Sequence, residues 1–198
     1  MTTTPADKTG APSGAGGRLR RLCTLAGALV LLVGLLVGLT GPVRAAGSAE
    51  YQVKAAFLYN FLKFVEWPSD STTSSGSLTL GILGKDPFGE AIEEVRGKTA
   101  KGRRIAVVHL RTPEEARDCD LLFISASERG RLAQILKTVQ NYRVLTVADQ
   151  EGFCQAGGMI NLVSVKNRVG FEVNMAAATR VRLRISSQLL KLARQVLE

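Results

Sequence analysis

DLLFISASERGRLAQILKTVQNYRVLTVA, residues 120–148, opens and closes on apolar runs of strand length. Between them Ser125 and Glu128 place a hydroxyl at a helix start and a carboxylate three residues on. Leu132, Ile135, Leu136 and Val139 then repeat at helical spacing. Two buried strands joined through a helix run parallel, and a parallel sheet needs cover on both faces. The same rhythm extends upstream. LTLGIL (78–83) reads as a strand, Asp86-Pro87 opens a helix through Val95, and residues 104–110 form the next strand. Thr112-Pro113-Glu114-Glu115 is a capping-box sequence, opening a short helix that stops before Cys119.

Downstream the spacing changes. MINLVSV (159–165) and RVGFEV (168–173) are separated only by Lys166-Asn167, too short for a parallel crossover, so they pair as a hairpin. Asn174 caps a helix over MAAAT. Arg180, Arg182 and Arg184 alternate with Val181, Leu183 and Ile185, the pattern of an extended segment with one basic and one buried face. Ser186 begins a final helix, SQLLKLARQVL. The expected fold is α/β: a mostly parallel central sheet with helices on both faces, plus a C-terminal antiparallel hairpin.

Ahead of the sheet, YQVKAAFLYNFLKFVEWP (51–68) carries six of the chain's eleven aromatics. As a helix it is apolar on nearly every side and must be covered, and Trp67-Pro68 ends it. Residues 1–49 read as a signal peptide and flexible N-terminus, and residues 50–198 as one domain. Arg18, Arg20 and Arg21 precede an uncharged run from Leu22 to Thr40, and small residues around Ala45, Ala46 and Ala49 offer cleavage sites. An uncleaved inner-membrane anchor is the alternative, because the run approaches the roughly 20 residues that span a bilayer. Cleavage near Ala46 removes Lys8, Arg18, Arg20, Arg21, Arg44 and Asp7, so the formal +9 becomes +5, 21 basic against 16 acidic residues. That modest charge does not argue for nucleic acid.

Catalytic and metal chemistry find no footing. His109 is the only histidine, at a strand end with no nucleophile elbow nearby, and one histidine with separated cysteines lacks zinc spacing. Glu93, Glu94, Glu114 and Glu115 fall on helix surfaces and first turns, where the helix dipole accounts for them. The turn from Gly81 to Gly89 matches neither the Walker nor the dinucleotide template and reads as a tight strand-to-helix turn. No cofactor is expected. Cys119 precedes the strand at 120–124 and Cys154 follows the strand at 144–148, so they occupy opposite rims of a parallel sheet. A six-residue strand spans about 20 Å and a disulfide tolerates only about 7 Å between Cα atoms. Both are expected to be free thiols, with any redox role resting on these two residues. Arg180, Arg182 and Arg184 offer three guanidinium groups for a carboxylate, a phosphate or an acidic protein face.

KAAFLYNFLKFVEWP behind a signal, then CDLLFI, VLTVAD, GGMINLV, NRVGFEVN and ISSQLLKLAR, in that order over the whole mature chain, resemble the YfiR-like family of periplasmic proteins. The resemblance implies a dimeric, non-enzymatic regulator that holds down an inner-membrane signalling protein. The usual partner is a diguanylate cyclase with a periplasmic sensor region, so that release raises cyclic-di-GMP and favours biofilm. It implies a partner-facing role for Glu172 and Ala178 and an anion-binding role for Arg184. In disulfide-bearing relatives the two cysteines each pair with another, near positions equivalent to Leu80 and Asn161, where this chain has none. The alternative is a periplasmic binder of small anions or nucleotides feeding a histidine kinase or transport system.

Overall fold

The computed structural model describes residues 44–68, 76–166 and 168–198. The segment expected to be an export signal therefore lies almost wholly outside the described residues, as does most of the polar loop before the first long strand. Among the described residues no helix is long and apolar enough to cross a membrane.

The long aromatic helix α1 runs Arg44–Phe64, reaching back beyond Tyr51. It stops three residues before Trp67 because Val65–Glu66 become the short strand β1. The main sheet is then built from β2 (Ser77–Leu83), β3 (Thr99–Ala100), β4 (Arg103–Leu110), β5 (Leu121–Ile124), β6 (Leu145–Ala148), β7 (Ile160–Val165) and β8 (Arg168–Asn174). A C-terminal strand, β10 (Gln195–Leu197), completes its eight strands in the order β10-β8-β7-β6-β5-β2-β4-β3. Strands β4, β2, β5, β6 and β7 are mutually parallel. The β7–β8 hairpin is antiparallel, and Lys166 takes the positive φ of 50° that a two-residue turn requires. The mostly parallel, two-sided α/β architecture read from residues 120–148 is the one observed.

One face of the sheet is covered by α1, whose Phe61 is fully buried and meets Phe171 of β8 edge-on at 5.3 Å between ring centres. Short helices α2 (Glu90–Glu93), α4 (Met175–Arg180) and α5 (Ser187–Leu190) join it there. The opposite face is covered by α3 (Leu132–Val139) and the 3-10 turn Pro113–Asp118, over Leu122, Ile124 and Ala148. Ser125 caps the 3-10 turn Ala126–Arg131 ahead of α3, and Asn174 caps α4 by accepting from the Ala177 amide at 2.9 Å.

Four local expectations are corrected. The helix placed at Asp86-Pro87 starts only at Glu90, because Gly89 holds φ 54°, ψ −126°, outside the helical region; Asp86 instead accepts from the Phe88 amide in a turn. Thr112 makes no side-chain cap, and Glu115 reaches back to the Arg111 amide. The arginine segment is not one extended strand. Arg180 ends α4, Arg182 closes it at φ 61°, and only Arg184–Ile185 form a strand, β9, paired with β1. The final helix stops at Leu190, and residues 195–197 add to the outer edge of β8. Pairing an open edge satisfies backbone groups that a frayed last helix would leave to water.

Candidate functional site

Three places could carry function: the strand-to-helix turn at the sheet's switch point, the carboxyl rim beside β6 and β7, and the arginine segment. In the order β4-β2-β5-β6-β7 the winding reverses between β2 and β5, where open α/β sheets commonly bind ligands. Here the chain fills that crevice itself. The Lys85 amide donates to Ser127 Oγ at 2.9 Å. A Cβ at Gly84 would lie 2.5 Å from that oxygen and 2.7 Å from Glu128 Cγ, so glycine is needed for the close approach. His109 pairs with Asp86 at 2.9 Å, the strand-end hydrogen bond its position suggests.

The second place is more open. Alternation along β8 sends Phe171 and Val173 into the core under α1 and turns Glu172 to the opposite face. Glu172 is half-buried and accepts from Asn161 Nδ2 at 3.3 Å; Asn161 Oδ1 in turn accepts from the Gln150 amide. Together with Asp149, Glu151 and Gln155 these residues border a pocket of about 640 Å³ at the carboxyl rim. Behind its wall Lys54 of α1 is buried between Asp149 at 2.7 Å and Glu50 at 2.6 Å, and the Tyr51 hydroxyl donates to the same Asp149 oxygen at 2.9 Å. Burial would lower the Lys54 pKa, but the hydrogen bonds to Asp149 and Glu50 and the charge of Asp149 outweigh it and hold the ammonium raised. Burial, reinforced by Asp149, pushes Tyr51 up to about 12. The first residues of the domain are thus ionically tied to the end of β6, a cluster that periodicity along α1 could not reveal.

The loop after β6 explains the glycines there. Phe153 is fully buried, and a Cβ on Gly158 would lie 2.2 Å from its ring, while Gly152 and Gly157 take positive φ. Cys154 lies buried beneath, its thiol directed at the Met159 and Glu172 carbonyls. Cys119 is buried at the other rim, and both thiols are free. Desolvation raises each to about 12.

The third place is the arginine segment. Val181, Leu183 and Ile185 are buried in the core that α1 covers, and Arg180, Arg182 and Arg184 are exposed, so the alternation of burial holds although the backbone is not a continuous strand. Arg184 sits opposite Glu66 in the β1–β9 ladder. Among the described residues no carboxylate forms an ion pair with any of the three. One sequence expectation needs correction at this point, the partner-facing role of Ala178. Glu172 is half-buried, because β10 covers its strand on the outer side and the pocket takes its side chain. It also lies on the other face of the sheet from the arginines. Ala178 is fully buried and offers no surface to a partner.

The sequence from residue 51 to 194 matches the family model described as DUF4154, YfiR/HmsC-like. The chain belongs to that family. YfiR/HmsC-like proteins are regulators rather than enzymes, and at the level of the family the regulated protein is a diguanylate cyclase with a periplasmic sensor region. No curated protein matches the sequence. Among solved structures, a conserved domain protein from Vibrio cholerae aligns with TM-score 0.53 at 8% identity, over 74% of this chain and 60% of that one. The ABC domain from Streptococcus pneumoniae, solved in complex with L-Trp, aligns with TM-score 0.49 at 12% identity over the same shares. The YfiR/HmsC-like chain thus spans about three fifths of each, and the first likeness shows an α/β fold and nothing more.

Proposed function

We propose that this chain is an exported, periplasmic repressor that acts by binding, without turnover, to the sensor region of an inner-membrane diguanylate cyclase, so that its release raises cyclic-di-GMP and promotes biofilm growth. It works as a homodimer in this reading. The family match carries the proposal. The three exposed guanidinium groups on α4, the following turn and β9 supply a contact surface of suitable chemistry, anchored from below by Val181, Leu183 and Ile185. Such a surface suits a carboxylate-rich face of a partner and raises the rate of encounter. Arg184 would also be the point at which a small anion modulates binding. Glu172 would contribute from the opposite face, at the rim pocket. The buried, unreactive environments of Cys119 and Cys154 favour control by binding over control by thiol chemistry. The test is cellular and biochemical together. Arg184→Ala is expected to melt near the parent and Glu172→Lys, which loses the bond from Asn161, below it; both are expected to release the partner and raise cyclic-di-GMP. If both variants still bind the partner's periplasmic region as the parent does, this assignment of the surface is wrong.

A further inference from the structure

The last turn of α1 and the β3–β4 hairpin beside it carry positive charge that the fold leaves unanswered. No aspartate or glutamate lies between Glu94 and Glu114, a stretch that holds Arg96, Lys98, Lys101, Arg103, Arg104 and Arg111. Two of these arginines are engaged: Arg96 pairs with Glu93 at 2.6 Å, and Arg103 turns inward to the Ser77 carbonyl and to Asp120. The lysines are not. Lys98 and Lys101 are exposed, as is Lys63 of α1, and among the described residues no carboxylate forms an ion pair with any of the three. Tyr59 joins helix to hairpin, its hydroxyl donating to the Thr99 carbonyl at 3.1 Å. The Lys63 and Lys98 ammonium groups each lie 5.4 Å from the centre of its ring, so two like charges converge on one aromatic side chain. An anion from outside the fold relieves that repulsion. Lys101 extends the charge to the tip of the hairpin. It holds φ 51° beside Gly102 at φ 75°, in a turn whose first position usually takes asparagine or glycine.

A second observation selects an extended lipid surface. Tyr59 and Phe64, the latter 5.8 Å from the Lys63 ammonium, are only partly buried and keep part of each ring at the surface beside the cations. Aromatic rings flanked by cations are the composition that settles at the headgroup level of a bilayer. Lysine, a compact point charge on a flexible stem, also suits phosphates whose positions are not fixed, whereas the bidentate geometry of a carboxylate face favours arginine. We propose that this end of the molecule docks on an anionic phospholipid surface, with Lys63, Lys98 and Lys101 against headgroup phosphates and Tyr59 and Phe64 at headgroup level. Three lysines give a reversible attachment that orients the domain. The inference does not rest on the repressor reading, because bare lipid is the ligand. If both hold, docking brings the arginine segment close to a membrane-held partner, since β9 pairs with β1 directly after α1.

The probe is a vesicle of equal parts phosphatidylcholine and phosphatidylglycerol, set against phosphatidylcholine alone and mixed with the purified full chain. Binding is followed by co-sedimentation and by quenching of Trp67 with a headgroup spin-labelled lipid. Trp67 is the only tryptophan and lies just beyond α1 and β1, so its quenching reports this end of the molecule and not residues 22–40. Quenching is expected on the anionic vesicles, weakening as sodium chloride is raised. Lys63→Gln, Lys98→Gln and Lys101→Gln combined are expected to melt near the parent and to lower affinity for the anionic vesicles at least about tenfold. Arg129→Gln with Lys137→Gln, exposed positions away from this end, should bind as the parent does. The inference is overturned if Trp67 is quenched equally on both kinds of vesicle or on neither, or if the triple variant binds like the parent. It is likewise overturned if the Arg129/Lys137 variant loses as much affinity as the triple variant, which would make net charge the cause. Displacement by sodium phosphate beyond that by sodium chloride at matched ionic strength would also overturn it, by showing a site for free phosphate. Because no partner protein is present, failure here leaves the repressor reading standing, and failure of partner binding leaves this one standing.

Discussion

At the scale of single residues, the costliest site to disturb is Lys54. Its ammonium is buried against Asp149, which is itself almost fully buried. Removing one member of a buried ion pair leaves a charge with no compensation, typically a loss of about 3–5 kcal/mol. Lys54→Met is therefore expected to lower stability by that order, and Asp149→Asn in the same chain should recover part of it; denaturant melts of the two variants check this. Glu50, the other partner, has its pKa lowered by hydrogen bonds from Lys54 and Ser164. A carboxyl with a depressed folded pKa adds stability above its unfolded value near 4.5, and that stability is lost as pH falls through the folded value. Tyr51 acts at the other end of the scale. Its pKa is raised to about 12 from 10, so stability present below pH 10 is lost as pH climbs toward 12. Phe61→Ala should cost about 3–5 kcal/mol as a large-to-small change in a closed core. Unchanged stability with loss of partner binding would instead put Phe61 on the recognition surface.

Elements were legible to different degrees, for physical reasons. Strands β2, β4, β5 and β6 and helix α3 follow from apolar runs and 3.6-residue spacing, because each packs against the element that its own pattern anticipates. The caps at Ser125, Asn174 and Ser186 were likewise legible, since a short side chain that satisfies a nearby amide needs no tertiary partner. The last helix was not, because the open edge of β8, a feature of the assembled sheet, recruits residues 195–197. The arginine segment was half legible. Its burial alternates as expected, but the end of α4 is set by the Leu183 amide reaching the Ala178 carbonyl at 3.0 Å, with Arg182 in the left-handed position that glycine usually takes. Arg182→Gly is thus expected to preserve stability to within about 1 kcal/mol, the relief of strain offsetting the added freedom of the unfolded chain. It removes one guanidinium without disturbing the fold, which makes it a clean probe of binding. Asn174→Ala loses both the cap and a 2.8 Å bond to the Cys154 carbonyl, and a drop of about 1–2 kcal/mol in a thermal or denaturant melt is expected.

The whole molecule divides its work between the two faces of one sheet. The α1 face is dominated by aromatic packing and carries the arginines on its outside; Glu172 belongs to the other, and the acidic rim pocket lies at the carboxyl edge of the sheet. Cys119 and Cys154 are sealed within this framework, so their alkylation in the folded protein at pH 8 should be slow and should become complete for both on unfolding. A peptide cross-linked through Cys119 and Cys154 of one chain, recovered after non-reducing denaturation, would contradict the topology. The candidate surface was legible as chemistry, three arginines at alternate positions, but its separation from Glu172 was not. Sequence spacing reports which residues share an element and leaves open which face of a sheet each element covers. The most direct test is calorimetric titration of the purified chain against the periplasmic sensor region of the proposed diguanylate cyclase partner, comparing the parent with a variant in which Arg180, Arg182 and Arg184 are all alanine. Affinity lowered at least about tenfold at an unchanged melting temperature is the predicted result. Parent-like affinity in the triple variant would contradict it.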